Sequence, residues 1–134
     1  MRLRKNANQN LKNSPGFHDK PEMKNWLLAA RPKTLPAAIS PVILGCALAY
    51  HDGFFYFFIC AMTLLAAVLI QIGANFANDV YDFQKGSDRE DRLGPTRATQ
   101  SGLISPEKMK KAMWQTFALA ICIGFYLSVI GGWP

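Results

Sequence analysis

Hydrophobic and polar positions are segregated along this chain instead of alternating as they do in a soluble domain. Apart from Asp52, charged residues are confined to residues 1–33 and 79–111. The uncharged run 54–76 has 23 residues, which as a helix would reach about 34 Å, enough to cross a bilayer. A second uncharged run covers residues 112–134. Both runs predict membrane-spanning helices.

A third candidate span covers residues 35–50 and contains two prolines. Because it has only 16 residues, its assignment depends on the apolar Trp26-Leu27-Leu28 extending it at the membrane interface. Residues 1–24 form a polar tail without the apolar segment of a secretory signal, and residues 77–105 form a polar loop. The predicted fold class is an all-α membrane protein with three transmembrane helices.

The distribution of Lys and Arg predicts the orientation of these spans. Eight lie before Leu35, none in the turn 51–53, and seven between Ala77 and Lys111. This asymmetry places the N-terminus and the long loop on the cytoplasmic side of the inner (plasma) membrane. The net charge of +6 also raises nucleic acid as a partner. Because the positive charges flank apolar spans, topology and contact with anionic lipid explain them better, and we expect no nucleic-acid binding.

Two local patterns limit the chemistry and the boundaries. Cys46, Cys60 and Cys122 lie singly in apolar runs, which favours buried thiols over a zinc site or a disulfide framework. In Ser105-Pro106-Glu107, serine can cap a helix, proline suits its first position, and glutamate meets its dipole. The last helix is therefore predicted to begin near Pro106.

A polar stripe follows one face of the otherwise apolar second span. At about 100° per residue, its five members fall within an arc of roughly 100°. Polar side chains in a membrane helix point into a bundle or a watery cavity, so the stripe is a candidate functional site. For its first two members, hydrogen bonding between helices is an equally open interpretation. The stripe consists of Gln71, Asn75, Asn78, Asp79 and Asp82.

The two aspartates of the stripe require positive charge, because they are like charges on one face near a helix C-terminus. Lys85 and Arg89 could supply it as a solvated surface pattern. Alternatively, a divalent cation is held by Asn78, Asp79, Asp82 and Asp88. Oxygen ligands without His or Cys favour Mg²⁺, and the spacing matches neither an EF-hand nor a Walker A loop.

Several cations surround the predicted metal site. Guanidinium groups fork onto phosphate oxygens, and Mg²⁺ neutralises charge on departing phosphates. A polyphosphate headgroup with an apolar tail among the spans, such as a prenyl diphosphate, would satisfy both features. These cations are Arg31, Lys33, Arg89, Arg92 and Arg97.

The motif residues stand in four segments: Arg31–Thr34, Gly73–Gly86, Asp91–Arg97 and Ser101–Pro106. These segments closely resemble the UbiA superfamily of intramembrane prenyltransferases, and within it the branch that acts on 1,4-dihydroxy-2-naphthoate in menaquinone biosynthesis. The resemblance runs from about Trp26 to the last residue. Its most specific part is the Asn-Asp-x-x-Asp pattern followed by Gly-Pro-Thr-Arg.

The resemblance implies a Mg²⁺-assisted transfer of a polyprenyl group from a polyprenyl diphosphate to 1,4-dihydroxy-2-naphthoate. The naphthoate loses its carboxyl group as CO₂, which gives demethylmenaquinone. By the same resemblance, Asn78 and Asp82 are metal ligands, while Asp79 and Asp88 either join them or hold them in place. Asp79 and Asp82 are the candidate catalytic residues. The candidate substrate-binding residues are Arg31, Lys33, Asn75, Arg92 and Arg97, and the resemblance implies that Arg31, Lys33 and Arg97 bind diphosphate or order the loop.

The chain departs from the family pattern in two respects. Gly86 stands where a third aspartate is usual, and the next acid is Asp88. The family also has more spans and a second aspartate-rich motif, whereas no acid follows Glu107 here. We therefore expect residues 25–134 to be the N-terminal part of a larger helix bundle, inactive without its C-terminal half. Two alternatives remain open: a prenyltransferase for another aromatic acceptor, and a small non-enzymatic protein that pairs with a helix bundle.

Overall fold

The computed structural model describes residues 22–85 and 97–132, and the regular elements of this part are all helical. Among these described residues, three segments are long and apolar enough to cross a membrane: Met23–His51, Phe57–Lys85 and Pro106–Gly131. The predicted fold class, an all-α membrane protein with three spans, is confirmed. The elements are α1 (Met23–Ala30), a 3₁₀ turn (Pro32–Thr34), α2 (Leu35–His51), α3 (Phe57–Lys85) and α4 (Pro106–Gly131).

The first membrane segment is broken between α1 and α2. Arg31 adopts a left-handed conformation with φ of 50°, and its N–H donates to the Leu28 carbonyl at 3.3 Å. This conformation is unfavourable for a residue with a side chain and ends α1. The Thr34 N–H then donates to the Arg31 carbonyl at 2.9 Å, which closes the 3₁₀ turn. The predicted apolar extension is thus a separate short helix.

The turn between α2 and α3 depends on the backbone conformation of Gly53. Gly53 has φ of 79°, a conformation that glycine adopts without steric cost. The N–H groups of Gly53 and Phe54 donate back to the carbonyls of Tyr50 and Ala49 at 3.2 and 2.8 Å. This is the Schellman arrangement, which satisfies the last carbonyls of α2 and turns the chain into α3.

The longest helix, α3, continues beyond the apolar run and carries the whole polar stripe on one unbroken helix to Lys85. The following described segment, 97–104, leads into α4. This helix begins at Pro106, and the Lys108 N–H donates to the Ser105 hydroxyl at 3.4 Å. The predicted start is confirmed. The helix begins before the uncharged run 112–134, so its first turns contain Lys and Glu.

The buried core lies at one end of the bundle, where α3 ends and α4 begins. Trp26 of α1 packs edge-on against Phe76 of α3, with ring centroids 5.8 Å apart. Burying apolar side chains from four segments joins α1, α3, the 97–104 segment and α4 at the level of the motif residues. The core consists of Ala29, Phe76, Val80, Ala98, Ile104, Met109 and Met113.

Candidate active site

Asp79 lies inside the protein and not on its surface, with a relative exposure of 1%. Its two carboxylate oxygens accept hydrogen bonds from the backbone N–H groups of Ala98 and Thr99, at 3.1 and 3.2 Å. Ala98 begins a hydrogen-bonded turn in which the Leu103 N–H donates to the Ala98 carbonyl at 2.9 Å. The first N–H groups of such a turn have no partner within it. Asp79 therefore caps the 97–104 segment from a different helix.

Arg97 immediately precedes this capped turn and lies over the end of α3. Its guanidinium group donates to the Asn78 carbonyl at 3.2 Å and forms an ion pair with the Asp82 carboxylate. The Arg97 side chain is 8% exposed, whereas that of Asp82 is 31% exposed. A positive charge thus neutralises Asp82 while leaving part of its carboxylate open to solvent. The sequence predicted Lys85 and Arg89, or a divalent cation, as the counterion of this aspartate, whereas in the structure Arg97 pairs with it.

The first two residues of the polar stripe, Gln71 and Asn75, form hydrogen bonds with the turn between α1 and α2. Asn75 is 3% exposed, and its Nδ2 donates to the Ala30 carbonyl at 2.7 Å and to the Thr34 hydroxyl at 2.9 Å. Gln71 Nε2 lies 3.4 Å from the same hydroxyl, which in turn donates to the Arg31 carbonyl at 2.9 Å. Hydrogen bonding between segments, one of the two interpretations left open, is what the structure shows for Gln71 and Asn75.

The same network holds Arg31 beside the stripe. One guanidinium nitrogen of Arg31, Nη2, is buried and has no hydrogen-bond partner among residues 22–85 and 97–132. A buried charged donor without an acceptor is costly, and the left-handed backbone of Arg31 adds to that cost. Strain and unsatisfied donors concentrate at functional sites, so this guanidinium is a candidate anion-binding group. Lys33, two residues later, is exposed.

The predicted metal ligands are only partly assembled in the described residues. Asn78 is exposed and Asp82 partly so, whereas Asp79 is buried among backbone N–H groups. Within residues 22–85 and 97–132, no group of three or more His, Cys, Asp or Glu side chains could hold a metal ion. Asp88, Arg89 and Arg92 lie outside the described residues, so their predicted roles stay predictions.

Three participants in this site were not singled out from the sequence. The Thr34 hydroxyl joins Asn75 to the Arg31 turn. The backbone N–H groups of Ala98 and Thr99 bind Asp79. Thr34 stands in the motif Arg31–Thr34, and a hydroxyl beside two cations is a usable signal. Backbone donors leave no trace in side-chain composition, so nothing in the sequence marked Ala98 or Thr99.

The UbiA prenyltransferase family model matches residues 38–133, and the chain belongs to this family. Its matched region includes the second half of the broken span, the polar stripe and the segment that Asp79 caps. Three long apolar helices agree with membership of a membrane-embedded family.

Individual relatives carry more specific names. The 1,4-dihydroxy-2-naphthoate octaprenyltransferase of Escherichia coli is 43% identical over 105 residues, which cover 78% of this chain and 34% of that protein. The Bacillus subtilis protein of the same name is 31% identical over 108 residues, covering 81% and 34%. UbiA prenyltransferase domain-containing protein 1 of Xenopus tropicalis is 36% identical over 75 residues, covering 53% and 21%. The chain therefore spans about a third of the length of the bacterial relatives. No solved structure matches it.

Proposed function

We propose that this chain contributes the first membrane helices of an enzyme that transfers a polyprenyl group from polyprenyl diphosphate to 1,4-dihydroxy-2-naphthoate, the step that gives demethylmenaquinone in menaquinone biosynthesis. Membership of the UbiA prenyltransferase family carries the proposal. The names of the Escherichia coli and Bacillus subtilis relatives support the acceptor. Because the chain spans about a third of these relatives, the proposed activity requires the remaining segment.

The cations of the site support diphosphate as the headgroup of the donor substrate. Arg31 has a buried guanidinium nitrogen without a partner in the part of the chain that the structure describes, and diphosphate oxygens are acceptors of matching geometry. Arg97 lies over the end of the stripe, and we assign Lys33 and Arg92 to the same headgroup. Asn75 is buried against the Arg31 turn, so its part in substrate binding is to hold that turn.

Asn78 and Asp82 suit a Mg²⁺ ion. Both offer hard oxygen atoms, both retain exposure, and they lie one helical turn apart on α3. We propose that they hold Mg²⁺ together with Asp88. When bound there, Mg²⁺ would supply positive charge against the negative charge that develops on the departing diphosphate. The contribution of the chain is to present these oxygens beside Arg97 at the membrane surface.

The proposed location is the inner (plasma) membrane, with the N-terminus and the active site facing the cytoplasm. The absence of Lys and Arg from the turn 51–53 and their abundance in residues 77–111 support this orientation. A prenyl chain would then lie among the spans while its headgroup remains in contact with cytoplasmic Mg²⁺.

The test is a complementation assay. The chain is expressed alone and together with the segment of the Escherichia coli relative that follows the matched region, and Mg²⁺-dependent prenylation of 1,4-dihydroxy-2-naphthoate is measured. Only the pair should be active. Asp82→Asn should lower the rate about 100-fold, equivalent to about 3 kcal/mol of barrier. Asp52→Asn, which removes an exposed charge at the opposite end of α2, is the matched control and should leave the rate unchanged.

The same assay separates the alternatives. If 4-hydroxybenzoate or homogentisate is prenylated in preference to the naphthoate in a competition assay, the enzyme acts on another aromatic acceptor. An active pair that ignores Asp82→Asn would contradict the site assignment. A complemented bundle that assembles without prenylating any of these acceptors would favour a non-enzymatic partner of a helix bundle.

A further inference from the structure

We infer that Asp79 is a positioning residue, which holds the 97–104 segment so that Arg97 meets Asp82, and that it is not a ligand of the metal ion. The role of Arg97 toward diphosphate rests on the proposed function, whereas the hold of Asp79 on the segment does not. The inference divides the Asn-Asp-x-x-Asp pattern into two ligands and one structural anchor.

The hydrogen bonds and burial of Asp79 are the first reason to regard it as a structural anchor. Both carboxylate oxygens are used, each by a different backbone N–H, and the donors are consecutive residues at 3.1 and 3.2 Å. The residue is 1% exposed, and Thr99 beside it is 0% exposed. Hydrogen bonds from N–H groups to a carboxylate are stronger than those between neutral groups. The two hydrogen bonds fix the orientation of the carboxylate, and a metal ion could reach it only by entering a site that solvent does not reach.

Exposure and helical geometry together agree with this division of the three motif residues. At about 100° per residue, Asn78 and Asp82 project about 40° apart on α3. Asp79 is turned about 100° from Asn78 and about 60° from Asp82. Asn78 and Asp82 accordingly share an accessible face, while Asp79 faces the 97–104 segment. Adjacent positions on a helix cannot present both side chains to one point equally well.

The consequence for Arg97 follows from chain connectivity. Arg97 is bonded directly to Ala98, the first residue whose N–H donates to Asp79. When Asp79 holds the N–H groups of Ala98 and Thr99, it also fixes the position of the Arg97 backbone. From there the Arg97 guanidinium reaches the Asn78 carbonyl and the Asp82 carboxylate. Asp79 thus acts on the charge balance of Asp82 through Arg97.

The first test measures amide hydrogen exchange in the chain in lipid nanodiscs. Asp79→Asn keeps the side-chain size but turns an amide NH₂ toward one of the two N–H donors. Exchange of the Ala98 and Thr99 amides should accelerate about tenfold or more. Asp82→Asn is the matched control and should leave these two amides protected. Unchanged exchange in Asp79→Asn would overturn the inference, whether or not the protein transfers prenyl groups.

The second test separates positioning from metal ligation in the complemented enzyme. Mg²⁺ is titrated first, and pyrophosphate is then titrated at saturating Mg²⁺. Asp82→Asn should weaken Mg²⁺ binding about tenfold or more, while Asp79→Asn should change it less than about threefold and weaken pyrophosphate binding instead. An equal loss of Mg²⁺ affinity in both variants would make Asp79 a ligand and overturn the inference.

A double-mutant cycle checks that Asp79 acts through Arg97. In an Arg97→Gln background, Asp79→Asn should have little further effect on pyrophosphate affinity, since the group that it positions is gone. Equal effects in both backgrounds would contradict positioning through Arg97. If the wild-type enzyme takes up neither Mg²⁺ nor pyrophosphate, the proposed function fails, and the exchange measurement still decides whether Asp79 holds the segment.

Discussion

The two ends of this helix bundle are stabilised in different ways. The motif end consists of α1 and of residues 73–85 and 97–113. Val80 and Ile104 are fully buried there, and Asp79 beside them is hydrogen-bonded to backbone N–H groups. At the turn end, formed by residues 43–58 and 119–131, large apolar side chains face outward, with Phe57 77% exposed and Phe125 72% exposed.

The difference reflects the surroundings that each end must satisfy. Helices at the turn end satisfy their own backbone hydrogen bonds, so exposed apolar side chains suit contact with lipid or with further helices. The motif end contains an irregular segment whose N–H groups require partners, and polar side chains on α3 provide them. Stability determinants and candidate active-site residues therefore coincide at one end of the molecule.

The largest expected effect comes from truncating the core of the motif end. Ile104→Ala should lower the free energy of unfolding by about 3 kcal/mol, because Ile104 is 0% exposed and its removal leaves a cavity. Ile43→Ala at the turn end, where the side chain is 58% exposed, is the matched control and should cost less than about 1 kcal/mol. Unfolding in mixed micelles with increasing SDS measures both. Equal losses would show that the two ends do not differ in packing.

Asn75 and Asn78 provide a matched pair within the stripe. Asn75→Ala should cost about 2 kcal/mol, because the Ala30 carbonyl and the Thr34 hydroxyl lose a buried donor. Asn78→Ala removes an exposed side chain and should change stability by less than about 0.5 kcal/mol, while weakening Mg²⁺ binding in the complemented enzyme. The same unfolding assay and a Mg²⁺ titration compare them. A destabilised Asn78→Ala would contradict its placement on the open face.

Gly73 lies where the two ends meet, against α4. A Cβ atom there would lie 2.9 Å from the nearest carbon of the Phe117 ring. We expect Gly73→Ala to destabilise by a net amount of about 1 kcal/mol, since the clash exceeds the gain in helix propensity. At Gly45, nothing lies within 4 Å of such a Cβ, so Gly45→Ala should be neutral or stabilising. The unfolding temperature should therefore fall for Gly73→Ala and stay unchanged or rise for Gly45→Ala.

The smallest effect is expected at the turn end. Phe58 packs edge-on against Tyr126, with ring centroids 6.2 Å apart. Phe58→Leu should cost about 0.5–1 kcal/mol, the contribution of one aromatic pair. Phe57→Leu, at a side chain that is 77% exposed, should cost less. A loss above about 2 kcal/mol for Phe58→Leu, measured by the same unfolding assay, would reveal a packed core at this end.

Much of the fold was predictable because its signals are local. An uncharged run long enough to cross a bilayer, the cap at Ser105 and the polar face of α3 are each encoded by residues within a few turns of one another. The break at Arg31 was not predictable. A left-handed conformation is rare for a residue with a side chain, and the hydrogen bonds that stabilise the turn come from Asn75, more than forty positions away.

Membrane helices with a stripe of amide and carboxylate groups along α3 can be predicted from the residue pattern alone, because hydrophobicity and helical period are properties of neighbouring residues. The groups that the stripe contacts depend on the tertiary fold. Asp79 binds backbone N–H groups and Asp82 binds Arg97, since those contacts depend on how the 97–104 segment returns to α3. Backbone donors are present in every non-proline residue, so chain folding, and not residue type, selects the ones that a buried carboxylate binds.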